Sequence, residues 1–322
     1  MPGANTPFTP LWTDRPDATA VLAAKRESGQ ISPVVAERLG QLIEKGYVII
    51  PGAISHQLAD LLVAEIAAVT GQPEMFIARR DRAAYAHPTK EVVADKTFRI
   101  IDFHVNSRHA DKAIFCSAIA EVLNAVFESP ANAFQCLTFN HGSQQAMHQD
   151  GAYVVVSEPL QFLASWIALE DVSAGSGELE YFSGSHKLDD FLFGEEGSKS
   201  WLPERHGGQI HRAFLDSIVQ RSETEGLTRE TFLPKKGDAL IWASDLVHGG
   251  SAISNDRTRK SLVTHYCPVA VKPKFSTFTK YFHLRRVAKR GYISSRHYDL
   301  RQRKWWRTHY PRLAPSFMGK PG

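Results

Sequence analysis

A chain of 322 residues, 43% apolar and 22% charged, has the makeup of an ordinary globular protein with apolar mass for one large core. No stretch approaches the ~20 continuous apolar residues of a membrane span. The start, Met1-Pro-Gly-Ala-Asn-Thr-Pro, lacks the basic-then-apolar pattern of an export signal, and the end, Gly319-Lys-Pro-Gly322, is not a peroxisomal address. Three cysteines, Cys116, Cys136 and Cys267, are odd in number and widely spaced, mostly in apolar segments. They read as buried thiols of a cytoplasmic protein. The net charge of +4 is unevenly spread: residues 271–322 carry fourteen Lys or Arg against one acid, Asp299, so the remainder is net acidic.

In chain order, Ser32-Pro33 is a helix start, and Val35, Leu39, Leu42 and Ile43 recur at helical spacing until Gly46. A strand over residues 47–50 follows. Ser55 caps a second helix bearing Leu58, Leu61, Leu62 and Ile66, and residues 112–127 spell a third, with Phe115, Ile119, Val122 and Val126 on one face. From Phe134 onward short β-rich stretches dominate, at 136–140, 147–156, 162–169, 177–182, 239–243 and 260–268. Many short strands separated by turn residues predict a mainly β fold with flanking helices, a sandwich or jelly roll. The polar stretch 186–230 interrupts this pattern and, with residues 72–96, is expected to form either a mobile lid or a passive surface excursion. The whole reads as one domain: a helical part to residue 96, a β core over 97–270 and a basic aromatic extension from 271.

Chemistry concentrates in Met147-His-Gln-Asp150 and Asp245-Leu-Val-His248. On an extended strand His148 and Asp150, two residues apart, point to one side, because side chains alternate across the pleat. With His248 they make up a two-histidine, one-carboxylate facial triad, which leaves coordination positions open and suits a non-heme ferrous ion. Arg259 opens the strand after His248. Its planar, permanently charged fork is suited to clamping the far carboxylate of a dicarboxylic co-substrate. His265 shares strand parity with Arg259 and is expected to turn inward if no bulge intervenes. His206 and His211, in the polar stretch, are expected to be exposed.

These residues resemble the phytanoyl-CoA dioxygenase family of iron(II)- and 2-oxoglutarate-dependent oxygenases, from about Gly46 to Pro268. Besides the triad segments, Trp166-Ile-Ala-Leu-Glu-Asp171, Gly177-Glu-Leu-Glu-Tyr-Phe-Ser-Gly-Ser-His-Lys187 and Lys236-Gly-Asp-Ala-Leu-Ile-Trp242 are similar to family segments in the same order. The resemblance implies a double-stranded β-helix (jelly roll, cupin-like), iron on His148, Asp150 and His248, and 2-oxoglutarate held by Arg259, with Arg99 and Trp166 lining its pocket and O2 as the other co-substrate. It also implies hydroxylation rather than halogenation, since related halogenases replace the carboxylate at the position of Asp150 with a small residue; desaturation and ring chemistry stay open. The chain departs from the family where Gly250 stands in place of a serine two positions after the distal histidine.

Substrate identity is not legible. Tyr153, His265, Phe103, Phe139 and Phe162 are candidate pocket walls, and the basic tail inclines the reading toward a small anionic or phosphate-bearing molecule. Tyr281, Tyr292, Tyr298, Trp305, Trp306 and Tyr310 interleave with the tail's charges. This composition suits either nucleic acid or an anionic surface, or an extension that packs its rings on the acidic body, and the second is favoured. Two rival readings stay open: a cupin-like metalloenzyme that needs no keto acid and no Arg259, and a nucleic-acid or surface-binding module that acts through the tail.

Overall fold

The computed structural model describes residues 7–80, 85–274, 285–298 and 300. Helices α1 (Ala18–Glu27), α2 (Pro33–Lys45) and α3 (His56–Ala68) enclose strand β1 (Tyr47–Ile50). Ser32 Oγ accepts from Val35 N and Ser55 Oγ from Leu58 N, so both helices begin on side-chain caps. The middle of the chain runs β2 (Ile77–Arg80), β3 (Tyr85–Ala86), α4 (Lys90–Ala94), β4 (Phe98–Ile101), α5 (Ala110–Ile114), α6 (Ser117–Phe127), β5 (Ala131–Phe139), β6 (Leu163–Ala168) and β7 (Leu179–Phe182). It continues with α7 (Pro203–Thr224), β8 (Arg229–Phe232), β9 (Ala239–Ala243), β10 (His248–Gly250), β11 (Ser261–Pro268), β12 (Arg286–Ala288) and β13 (Gly291–Ile293).

The strands form two sheets. The larger runs β1-β9-β6-β11-β5-β4-β2-β3, with β13 pairing in parallel on β5 and β12 beside it; the smaller is β10-β7-β8. Side-chain parity divides the large sheet's faces. Leu163, Ile167, Ile241 and Leu262 face the helices, whereas Ala164, Trp166, Leu240, Trp242 and Val263 face the small sheet. Both faces are covered at the centre, so β6 and β9 read as apolar runs without a polar face. This is the jelly roll expected from sequence: mostly antiparallel sheets with flanking helices.

Gly46 joins the helical layer to the site. It ends α2 at φ 80°, a left-handed conformation that favours glycine, and a Cβ there would lie 2.4 Å from His186 Nδ1. His186, in the Gly-Ser-His-Lys turn, is buried with Nε2 3.3 Å from Ile43 O, and burial pulls its pKa down to about 4. Gly46→Ala is therefore expected to cost at least ~1–2 kcal/mol, read as a lowered urea midpoint. An unchanged midpoint would remove the turn from the fold's stabilising contacts.

Several expectations are corrected. The helix expected at 112–127 is two, α5 and α6, broken at Phe115–Cys116. The stretch 147–156 is not a strand: His148 makes one isolated bridge and residues Asp150–Ala152 form a 3-10 turn. Within 186–230, expected as a lid or a surface excursion, lie α7 and β8; Phe214 and Ile218 of α7 pack on Ala152 and Val247, an apolar seam at ~1.5–3 kcal/mol for each large side chain. Residues 77–80 and 85–86 are edge strands of the large sheet. In the basic extension, β13 lies on β5 and Tyr298 is buried, its hydroxyl accepting from Ile77 N at 3.0 Å. Tyr281, Trp305, Trp306 and Tyr310 lie outside the described residues. No helix among the described residues is long and apolar enough to cross a membrane.

Candidate metal centre and anion pocket

His148 and His248 are 100 positions apart in sequence and face each other across two main-chain hydrogen bonds: His148 N to His248 O at 2.8 Å and His248 N to His148 O at 2.9 Å. Such a narrow pair sets side chains on one side of the two segments together. One ligand-type atom each from His148, Asp150 and His248 lies within 4.8 Å of the others, and all three residues are buried. His148 Nε2 is 3.6 Å and His248 Nε2 3.8 Å from Asp150 Oδ1.

The imidazoles are oriented by the backbone. Nδ1 of His148 lies 2.8 Å from Ala146 O and Nδ1 of His248 lies 2.9 Å from Leu246 O. In each case Nδ1–H donates to the carbonyl, which leaves the Nε2 lone pair facing the carboxylate. Burial, reinforced by His148, pulls the His248 pKa down to about 4, so this nitrogen is unprotonated near neutrality. Burial works against ionisation of Asp150, yet His248, His265 and His148 hold its carboxyl well below the usual carboxylate range. Two imidazole nitrogens and one carboxylate on a common centre are the donor set for one divalent ion.

Two residues that hold Asp150 come from the β sandwich. Trp242 Nε1 donates to Asp150 Oδ2 at 3.0 Å, and His265 Nε2 lies 3.3 Å from the same oxygen. His265 turns inward as its parity required. The β11–β5 register does shift between His265 and Tyr266, but the extra residue is Phe134 on β5, and β11 keeps its alternation against β6. Nothing in the apolar run Ala-Leu-Ile-Trp242 signals the role of Trp242. Behind the centre, Lys199 forms a buried ion triad with Asp190 and Asp245, the latter at 3.0 Å, against the backbone of Gly151. A lone lysine in a polar stretch carried no sign of this.

Arg259 lies 2% exposed on the same interior face as His265. Its guanidinium carbon sits 5.5 Å from the Trp166 ring and 5.9 Å from the Phe139 ring, and Nη1 donates to Gly177 O. Among the described residues Arg259 has no carboxylate in ion-pair contact, and its buried Nε has no hydrogen-bond partner. Burial pulls its pKa down to about 10, opposed by Glu178. A buried cation in this state is costly without a matching anion. Arg99 approaches Phe139 as well, at 5.3 Å, from β4, where it pairs in register with Phe139. Gly249 and Gly250 run against the backbone at Gln144–Met147, where a Cβ on either would come within 3.0 Å of main-chain atoms. That close approach favours glycine at both positions.

A cavity of about 250 Å3 opens on His148, Asp150, Tyr153 and His265 and is bounded by Arg79, Arg99, Lys274 and Arg296. Phe139 and Phe162 do not line it, and Phe103 is wholly buried in the helix-side core against Phe76, so it is no substrate wall. Tyr153 and His265 do line it. His206 and His211, expected to be exposed, are held: His206 stacks on Phe193 and lies 2.9 Å from Glu196, while His211 stacks on Trp201 at 4.0 Å with Nε2 2.7 Å from the Tyr153 hydroxyl. Through this contact α7 reaches the cavity wall.

Fold and site together define a jelly-roll protein with a His-Asp-His centre fit for one metal ion and a buried arginine behind it. The phytanoyl-CoA dioxygenase (PhyH) sequence family matches residues 42–261, and the chain belongs to that family, as an enzyme of the dioxygenase type. No curated protein matches the chain. Among solved structures it is similar to "the epimerase SnoN in complex with Fe3+, alpha ketoglutarate and nogalamycin RO" (18% identity, TM-score 0.58, covering 81% of this chain and 98% of that one). It is also similar to EctD from S. alaskensis in its apoform (15%, 0.56, 92% and 94%) and to the "non-heme alpha ketoglutarate dependent carbocyclase SnoK" (15%, 0.53, 78% and 89%).

Proposed function

We propose that the chain is an iron(II)- and 2-oxoglutarate-dependent dioxygenase that hydroxylates an unactivated carbon of a small anionic metabolite. It works as a single oxygenase unit in the cytoplasm. The observation that carries this reading is Arg259: a buried guanidinium without a carboxylate partner among the described residues, on the interior face that also presents the ligand triad. A cupin-like hydrolase or isomerase would gain nothing from such a group, whereas a bound diacid would neutralise it. EctD has been solved with 2-oxoglutarate and 5-hydroxyectoine, and SnoN with alpha ketoglutarate, so this fold accommodates such a diacid.

In this reading His148, Asp150 and His248 hold ferrous iron. Arg259 pairs with the distal carboxylate of 2-oxoglutarate, Trp166 walls its chain, and Arg99 adds positive charge from the other side of Phe139. When bound, iron and 2-oxoglutarate supply the activation of dioxygen, with release of succinate and carbon dioxide. The protein's own share is placement. Trp242 and His265 fix the carboxylate of Asp150, the carbonyls of Ala146 and Leu246 fix both imidazoles, and the seam under α7 keeps water from one side of the centre. Tyr153 and His265 face the substrate.

Anaerobic protein given ferrous iron and 2-oxoglutarate is expected to develop the visible charge-transfer band of a chelated keto acid, and its absence from the wild type would end the oxygenase reading. Arg259→Ala is expected to raise the half-saturating 2-oxoglutarate concentration ~30- to 1000-fold with little change in iron affinity, because a bidentate charge-assisted contact contributes ~2–4 kcal/mol. An unchanged half-saturation would remove Arg259 from the co-substrate site.

A further inference from the structure

Four permanent cations, Arg79, Arg99, Lys274 and Arg296, border the cavity beside the triad, and Asp150 is its one carboxylate among the described residues. The imbalance persists when the proposed ligands are counted. A divalent ion, the Asp150 carboxylate and a dianionic keto acid sum to about one negative charge, which Arg259 alone would balance. Among the described residues, Arg79 and Lys274 are left without a counter-charge, and Arg296 has only the longer-range influence of Asp102. No carboxylate among the described residues is in ion-pair contact with any of the three. Arg79 is held instead by Tyr85, its guanidinium 5.3 Å from the ring, and its buried Nε has no hydrogen-bond partner among the described residues. Cations confined in a cleft concentrate the field toward an anion.

Each of these cations arrives on a separately anchored piece of chain. Arg79 belongs to β2, where it pairs in register with Arg99 of β4. Lys274 follows β11, its backbone N–H donating to Val155 O at 2.8 Å. Arg296 follows β13 in a segment fastened to the body: Ser294 N donates to Ala133 O at 2.9 Å and Ser295 Oγ to Asp102 Oδ2 at 2.5 Å. The next residue, His297, lines the same cavity. The basic extension therefore contributes three wall residues, Lys274, Arg296 and His297.

Resting on the oxygenase reading above, we propose that the substrate is a small molecule bearing a dianionic tetrahedral oxyanion, a phosphoryl or phosphonyl group, bound by Arg79, Arg296 and Lys274 while its remainder reaches Tyr153 and the metal. A tetrahedral group offers three oxygens in three directions, which suits three cations from three elements; a carboxylate offers two in one plane. Arg79 and Arg296 supply directed donors, and Lys274, exposed at the mouth, a point charge.

The test uses full-length protein loaded anaerobically with ferrous iron and 2-oxoglutarate, titrated calorimetrically with methyl phosphate, methylphosphonate and, as a singly charged control, acetate. Methyl phosphate or methylphosphonate is expected to bind and acetate not to; the tighter of the two dianions identifies the source, phosphate ester or phosphonate. Arg79→Gln and Arg296→Gln are each expected to weaken that binding tenfold or more with the keto-acid band intact, and Arg259→Ala to weaken the band while dianion binding survives. Lys274→Gln, at an exposed position, gives a variant whose folding is not at risk and should weaken binding severalfold. No dianion binding by the wild type, equal binding by all three cation variants, or loss of dianion binding with Arg259→Ala would overturn the assignment. A missing band beside intact dianion binding would overturn the oxygenase reading alone.

Discussion

Asp150→Ala is expected to lower ferrous iron affinity by more than about 100-fold and to remove measurable turnover. The estimate scales from the ~10- to 100-fold that outer-shell changes alone cost at metal sites, and Asp150 is the only carboxylate among the described residues within reach of both Nε2 atoms. The loss should exceed that of a charge alone, because Trp242 Nε1 would be left buried without its acceptor. Asp150→Asn separates these effects: an amide oxygen can still accept from Trp242, so folding stability should stay near wild type while metal affinity falls. The measurement is an anaerobic iron titration of the three proteins beside their urea unfolding curves. Wild-type iron affinity in Asp150→Ala would mean that the triad is not the metal site.

Lys199→Met should be the most destabilising single change away from the ligands. The Lys199 side chain is 2% exposed, Asp190 6% and Asp245 11%, so two carboxylates would share a pocket that has lost its cation. Burial alone would pull the lysine's pKa down, and Asp245 and Asp190 more than offset that, holding it above its ordinary value. Removing one member of a buried ion group typically costs ~3–5 kcal/mol, whereas replacing the whole group by neutral side chains is often tolerated. The triple variant with Asp190→Asn and Asp245→Asn should therefore recover much of the loss. A cost below ~1 kcal/mol for Lys199→Met alone would show that water reaches the triad.

What could be read from the sequence follows from the range of the interactions involved. The caps at Ser32 and Ser55, the stop at Gly46 and the apolar strands are local patterns, and the structure has them where periodicity placed them. Three histidine and aspartate side chains could be grouped because their segments resemble those of a known family. Phe103 was misjudged because an aromatic near a polar turn looks the same whether it faces a cavity or the helical core. The break between α5 and α6 was missed because Phe115 and Cys116 continue the apolar pattern while leaving helical geometry. Stretch 147–156 suggests a strand since its residues favour extended backbone, yet it pairs only through isolated bridges, His148 with His248 and Val156 with Pro273, far along the chain. Lys199 and Trp242 act through contacts spanning 9 and 92 positions, the segment carrying Arg296 is tied down across 193, and no local pattern encodes those. Arg296 also lies beyond residue 261, where the family match ends.

The reciprocal main-chain tie between His148 and His248 bears on how the protein handles its metal. Amide and carbonyl groups of the polypeptide, rather than coordination bonds, bring the two imidazoles opposite one another. An ion entering such a jaw meets donors already at their working separation and need not gather loose segments. Metal loading should then be a quick, reversible event on a folded scaffold, and stripping the ion should leave an empty but intact jaw whose two paired amides still exchange slowly with solvent.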